Sequence, residues 1–207
     1  MQRYSHAKVA PDGTKAMLGL ERYLHECGLE ESLLHLIKLR ASQINGCAYC
    51  LDMHWKDLKS IGEPGHRLYE LDAREETSFY TDRERAALAW TDAVTKVAET
   101  HVPDDLYNEV RKQFSEKELT DLTLAISTID AWNRLNIAAR TDAGTYQVPK
   151  ARMQKIASCS CWRGFRHSAH SSHSSSSSCQ WWTRKPTGFS TAAARSIPCA
   201  PGLEGLS

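Results

Sequence analysis

The sequence predicts an all-α fold. Apolar residues recur at intervals of three and four through successive stretches, two Ser/Thr-x-x-Glu capping boxes announce helix starts, and no run alternates apolar and polar residues as a half-buried strand would. No internal repeat of solenoid length is present.

The elements follow in order. Met17, Leu20, Leu24 and Cys27 share one helical face, and Gly28 is placed to end that helix. Leu29, Leu33, Leu36, Ile37 and Leu39 form a broad apolar stripe on a second helix reaching about residue 42, with Glu30 and Glu31 complementing the dipole in its first turn. The Asn45-Gly46 pair breaks the pattern, and a third helix runs from Cys47 to about Ser60, closed by Gly62. After a short segment from Pro64 to Leu71, Thr81 and Glu84 form a capping box for a helix through Trp90 to about Glu99. Pro103 suits the first position of the next helix, with Asp104 and Asp105 behind it. Ser115 and Glu118 form the second capping box; Leu119, Leu122, Ile126, Ile129 and Trp132 carry the longest helix toward Arg140, and Gly144 is read as its stop.

Residues 151–207 differ in kind from residues 1–150. A serine tract spans Ser174 to Ser178, with Trp, Cys, Arg and Pro scattered around it without period. Such a segment buries too little apolar surface to offset its ordering entropy, so a low-complexity, disordered C-terminal tail is expected, whose composition also suits a reading-frame shift or read-through. The formal net charge of +1 conceals an asymmetry: residues 1–150 hold 19 Lys and Arg against 24 Asp and Glu, a net −5, and the tail holds 7 against 1, a net +6. An acidic body argues against a nucleic-acid surface, which needs clustered cations to displace counterions. No run approaches the ~18 apolar residues of a membrane span and none resembles a signal peptide, so a soluble, cytoplasmic protein without a membrane partner is expected. There is no phosphate-cradling glycine loop or dinucleotide fingerprint, and no resident cofactor or metal is expected.

Three of the seven cysteines, Cys27, Cys47 and Cys50, fall in the helical body. In a reducing compartment a close pair reads as redox or metal chemistry rather than as a structural staple. Cys47, Cys50 and His54 form Cys-x-x-Cys-x-x-x-His, and on a helix these offsets place all three on one face. A thiolate is favoured by the partial positive charge at a helix N-terminus and by an imidazole able to take its proton, and a second cysteine one turn away traps the oxidised first as a disulfide. Three readings compete on residues alone: a redox pair, inert buried cysteines, or part of a Cys2His2 zinc set completed by His54 and His35.

The run LIKLRASQINGCAYCLDMH, residues 36–54, resembles the signature of the carboxymuconolactone decarboxylase superfamily in its alkyl hydroperoxidase D (AhpD)-like branch. ERAALAWTDAVT (84–95) and LTLAISTIDAWNRLNIAAR (122–140) resemble the same family, so the likeness covers most of residues 15–148. It implies a helical domain that assembles as a homo-oligomer, a trimer or hexamer, and an antioxidant peroxidase activity on organic hydroperoxides that draws electrons from an external dithiol or thiol carrier. By the same resemblance Cys50 attacks the peroxide, Cys47 resolves it, and His54 belongs to a proton relay; the helix dipole taken alone favours Cys47 as the more acidic thiol.

The chain departs from the family pattern in two places. His35 stands where a relay glutamate is expected, and Tyr49 where some members carry a histidine between the cysteines. A relay histidine without its carboxylate lacks the group that orients it. His35 itself is one replacement, Glu31 or Asp52 another, and the bland alternative is a core-facing histidine on an apolar helix. Trp90 and Trp132 read as packing or subunit-contact residues, and the cluster from Glu75 to Arg85 as solvated surface. Two further functional readings stay open: a non-catalytic zinc- or thiol-binding module, and lactone decarboxylation of the carboxymuconolactone type, whose branch typically lacks the cysteine pair.

Overall fold

The computed structural model of the chain describes residues 1–149, and the expectation of a disordered tail over 151–207 lies outside them. Among the described residues the secondary structure is entirely helical: α1 (His6–Val9), α2 (Pro11–Glu26), α3 (Glu31–Asn45), α4 (Ala48–Ser60), α5 (Gly65–Tyr69), a 3-10 helix (Leu71–Glu76), α6 (Asp82–Thr95), α7 (Val97–Thr100), α8 (Asp104–Val110) and α9 (Glu116–Ala139). No helix among them is long and apolar enough to cross a membrane.

The fold is organised around α3, which packs against α4, α6 and α9. Every residue from Leu33 to Ser42 is buried, so this helix is enclosed on all sides rather than amphipathic. Leu33, Leu34 and Ile37 join Leu24, Leu122 and Ile126 in the main apolar cluster, while Leu36 and Leu39 join Leu58, Leu68, Leu71 and Leu88 in a second. Enclosure also takes polar side chains inside, where each needs a partner. Lys38 Nζ reaches Glu21 at 2.5 Å, Ser42 Oγ donates to the Lys38 carbonyl at 2.7 Å, and Arg40 Nε donates to Asp92 Oδ1 at 2.7 Å. Arg74 donates to the other oxygen of Asp92 at 2.7 Å. Burial alone would raise the Asp92 carboxyl, but the Arg40 hydrogen bond and the charges of Arg74 and Arg40 outweigh it and hold the group below the usual carboxylate range.

Both capping boxes form as expected, Thr81 with Glu84 opening α6 and Ser115 with Glu118 opening α9. The charged cluster around them is more than solvated surface. Arg83 donates to Glu30 at 2.9 Å and to Glu118 at 2.7 Å, tying the starts of α3, α6 and α9 together, and Arg67 pairs with Glu84. Several boundaries differ from expectation for local reasons. The expected helix from Thr81 to Glu99 breaks after Thr95 into α6 and α7, and Pro103 serves as N-cap of α8 rather than its first residue. The long helix ends at Ala139 because Arg140 turns left-handed at φ 52° and its backbone N–H bonds back to the last turn, before Gly144 is reached. Trp90 is core, as read, with its indole N–H on Thr123 at 2.9 Å.

Candidate functional site

The junction of α3 and α4 positions the cysteines. Gly46 takes the left-handed conformation at φ 70°, which a residue without Cβ adopts freely, and this closes α3 and redirects the chain at once into α4. Cys47 is the N-cap of α4, where its Sγ accepts the backbone N–H of Cys50 at 3.4 Å. The structure joins Cys47 and Cys50 in a disulfide, with Cα atoms 5.4 Å apart. Both belong to a small buried cluster with Ala41 and Ile129, against which Tyr49 and Trp132 pack. From α9, the Asn136 amide donates to Cys50 Sγ at 3.6 Å.

One turn further along α4 lies a buried polar group. His54 on α4 and His35 on α3 face each other with their Nδ1 atoms 3.4 Å apart. Asp57 Oδ2 lies 3.8 Å from His35 Nδ1 and 3.9 Å from His54 Nδ1. All three residues are 4% exposed. The other oxygen of Asp57 accepts the Tyr146 hydroxyl at 2.7 Å, and Glu31 Oε1 stands 3.9 Å from His35 Nε2. A pocket of about 480 Å³ opens against this group, and Tyr49, His54, Asp57, Trp132, Asn136 and Tyr146 are in its wall. Buried Lys38 and partly buried Glu21, paired at 2.5 Å, also line it, and the Trp132 indole N–H donates to Glu21 Oε1 at 3.1 Å. Trp132 therefore lines the pocket as well as packing, as read, against the Ala41–Ile129 cluster.

The four residues singled out from sequence thus fall in one region. Cys47 at the N-cap, Cys50 and His54 follow one another along one buried side of α4, and His35 comes to His54 from α3. Of the two acids considered as partners, Glu31 stands at the outer nitrogen of His35, whereas Asp52 points elsewhere, to Lys56 at 2.8 Å and to the Gly144 N–H at 3.2 Å. The carboxylate facing both imidazoles is Asp57, which sequence reasoning missed. A signal was available, because the face bearing residues 47, 50 and 54 continues to 57 at the next helical step. Asn136 was visible only as a polar residue on an apolar stretch of α9, and Tyr146, 89 residues from Asp57, had no local signal.

Three comparisons bear on this arrangement. The model of the carboxymuconolactone decarboxylase family matches residues 11–93. The uncharacterized protein YdfG of Bacillus subtilis (strain 168) is 42% identical over 137 residues, which is 66% of this chain and 93% of that protein. The crystal structure of a protein of unknown function from Agrobacterium tumefaciens, suggested to be the antioxidant defence protein AhpD, is 42% identical, covering 70% of this chain and all of that one at a TM-score of 0.68. At 18% identity a peroxidase-related protein with an AhpD core from Ralstonia eutropha JMP134 shares the fold, with a TM-score of 0.60 over 67% of this chain and 74% of that one.

Proposed function

Because the chain belongs to the carboxymuconolactone decarboxylase family, in its AhpD-like branch, we propose that it is a thiol-dependent hydroperoxide reductase acting through Cys50 and Cys47. The observation that carries this reading is the cysteine pair itself: a buried disulfide at the N-terminus of α4, on the helix that also supplies His54, linked through Asn136 to the wall of a pocket of substrate size that the sulfurs themselves do not line. In the reduced protein the α4 dipole and the Asn136 amide favour a thiolate at the first turn. The Cys50 thiolate attacks the terminal peroxide oxygen; the O–O bond breaks, the departing alkoxide takes a proton from the relay, and Cys50 is left as a sulfenic acid. The Cys47 sulfur then displaces hydroxide from that sulfenic acid, water leaves, and the disulfide forms. An external dithiol donor returns both cysteines to the reduced state by exchange, becoming a disulfide itself.

His54 is the proton carrier of this scheme, with His35 in place of the expected glutamate and Asp57 as the carboxylate that orients them. Exposed large side chains such as Trp55, Tyr69 and Phe79 offer apolar surface for the contacts that a trimer or hexamer requires.

Substituting Cys50→Ser is expected to abolish turnover of an organic hydroperoxide with a dithiol donor, and Cys47→Ser to permit a single oxidation of Cys50 before stalling. Retention of most turnover by the Cys50 variant refutes the assignment.

A further inference from the structure

The buried group of His35, His54 and Asp57 has a second chemical capability that proton transfer does not use. We propose that these three side chains form a binding site for a divalent transition-metal ion, zinc being the ion that fits best, bound through His35 Nδ1, His54 Nδ1 and Asp57 Oδ2. Two imidazoles and a carboxylate from adjoining helices are a donor set that zinc and iron(II) sites share. One potential ligand atom from each of the three residues lies within 4.8 Å of the others.

The distances carry the argument further than the residue types do. The three named atoms are separated by 3.4, 3.8 and 3.9 Å. A circle through points so spaced has a radius of about 2.1 Å, which is the length of a zinc bond to imidazole nitrogen or carboxylate oxygen. An ion at that centre meets all three donors, and a contraction of a few tenths of an ångström gives tetrahedral spacing.

The surroundings supply what such a site needs beyond its ligands. Asp57 accepts the Tyr146 hydroxyl on Oδ1 at 2.7 Å, so Oδ2 is the oxygen turned to the histidines. Glu31 stands 3.9 Å from the outer nitrogen of His35, on the side away from the donor group, the placement of a carboxylate that orients a metal-bound imidazole. The carboxylate of Asp57 offsets half the charge of a divalent ion in a buried location. All three ligands line the 480 Å³ pocket, which leaves a fourth coordination position facing its interior for water or a small anion. In the oxidised protein the cysteines take no part, since they are bonded to each other.

Occupancy immobilises the imidazole on which the proposed peroxide reduction depends, so zinc acts as an inhibitor of that reaction; this consequence rests on the reading above, whereas the site itself does not. The test reads metal content rather than turnover. The full-length chain, with Cys47 and Cys50 oxidised, is dialysed against zinc, and the cobalt(II) form is examined by absorption spectroscopy. The expected result is a single stoichiometric equivalent, with visible d–d bands and no thiolate charge-transfer band. That equivalent should be lost in His35→Gln and Asp57→Asn, variants chosen for minimal change in volume and checked for fold by circular dichroism. It should be retained when His167, His170 and His173, the closely spaced histidines of the C-terminal tail that could take up metal adventitiously, are replaced by alanine. Glu31→Gln, remote from the metal and exposed, should weaken binding by about tenfold. Unchanged affinity in both folded ligand variants, absence of stoichiometric zinc from the parent chain, or a cobalt spectrum dominated by thiolate charge transfer would each overturn the proposal.

Discussion

Replacing Asp57 by Asn removes a charge while leaving the shape of the site in place. The amide oxygen can still accept the Tyr146 hydroxyl, so the polar anchor across α4 is kept. What disappears is a carboxylate whose Oδ2 stands 3.8 and 3.9 Å from the two imidazoles. Opposite unit charges at that separation attract by about 4 kcal/mol at the effective dielectric of a partly relaxed protein interior. If roughly half a positive charge resides on the relay when the proton moves, about 2 kcal/mol of transition-state stabilisation is lost, a fall of about 30-fold in kcat/KM. Asp57 acts through the histidines rather than on the peroxide, so the loss should fall on kcat with KM for the hydroperoxide unchanged, and the pH–rate profile should change form. The assay is steady-state reduction of an organic hydroperoxide with a dithiol donor, accompanied by single-turnover oxidation of the thiols and a melting curve. A folded variant whose kcat/KM stays within about threefold of the parent, or whose loss lies wholly in KM, would refute the reasoning.

Asp92→Asn replaces the charged partner that Arg40 and Arg74 share, but Arg40 keeps Asp72 and Arg74 keeps Glu75, so the cost should be that of weakened charge-assisted hydrogen bonds, about 2 kcal/mol in urea denaturation; a loss below about 0.5 kcal/mol would show that the remaining acids and solvent already satisfy the arginines. Glu118 is held at about 2 by the Ser115 backbone N–H first, then by Arg83 and the Ser115 side chain, against an ordinary value of 4.5. A depressed carboxylate stabilises the fold fully above its unfolded value and loses that contribution as pH falls through the folded one. The melting-temperature gap between the parent chain and Glu118→Gln should therefore be widest above about pH 4.5 and close toward pH 2, and a gap independent of pH would be inconsistent with the charge being responsible.

Local signals and long-range ones divide this protein cleanly. The starts of α6 and α9 were legible because a capping box is satisfied within four residues of chain, and the turn into α4 because Asn45-Gly46 supplies the one conformation that ends α3 there. The placement of Cys47 and Cys50 at a helix N-terminus, with His54 on the same face, followed from the same local rules. Breaks inside the expected helices did not, because Lys96 and Arg140 carry no residue type that marks a stop.

Enclosure was decided only by tertiary packing. The apolar stripe of α3 predicts one covered face, yet α4, α6 and α9 cover it all round, and that is why His35, Lys38 and Arg40 are internal and must be paired. His35 was legible as a candidate, and Glu31 as its neighbour on the same helix, but its partners His54 and Asp57 come from another helix, and Tyr146 reaches Asp57 across 89 residues of sequence. Helix propensity acts over a few residues and is written in composition and spacing; the meeting of two imidazoles and a carboxylate requires helices to be brought together by burial of their apolar faces, a force without direction that leaves no mark at the residues it juxtaposes.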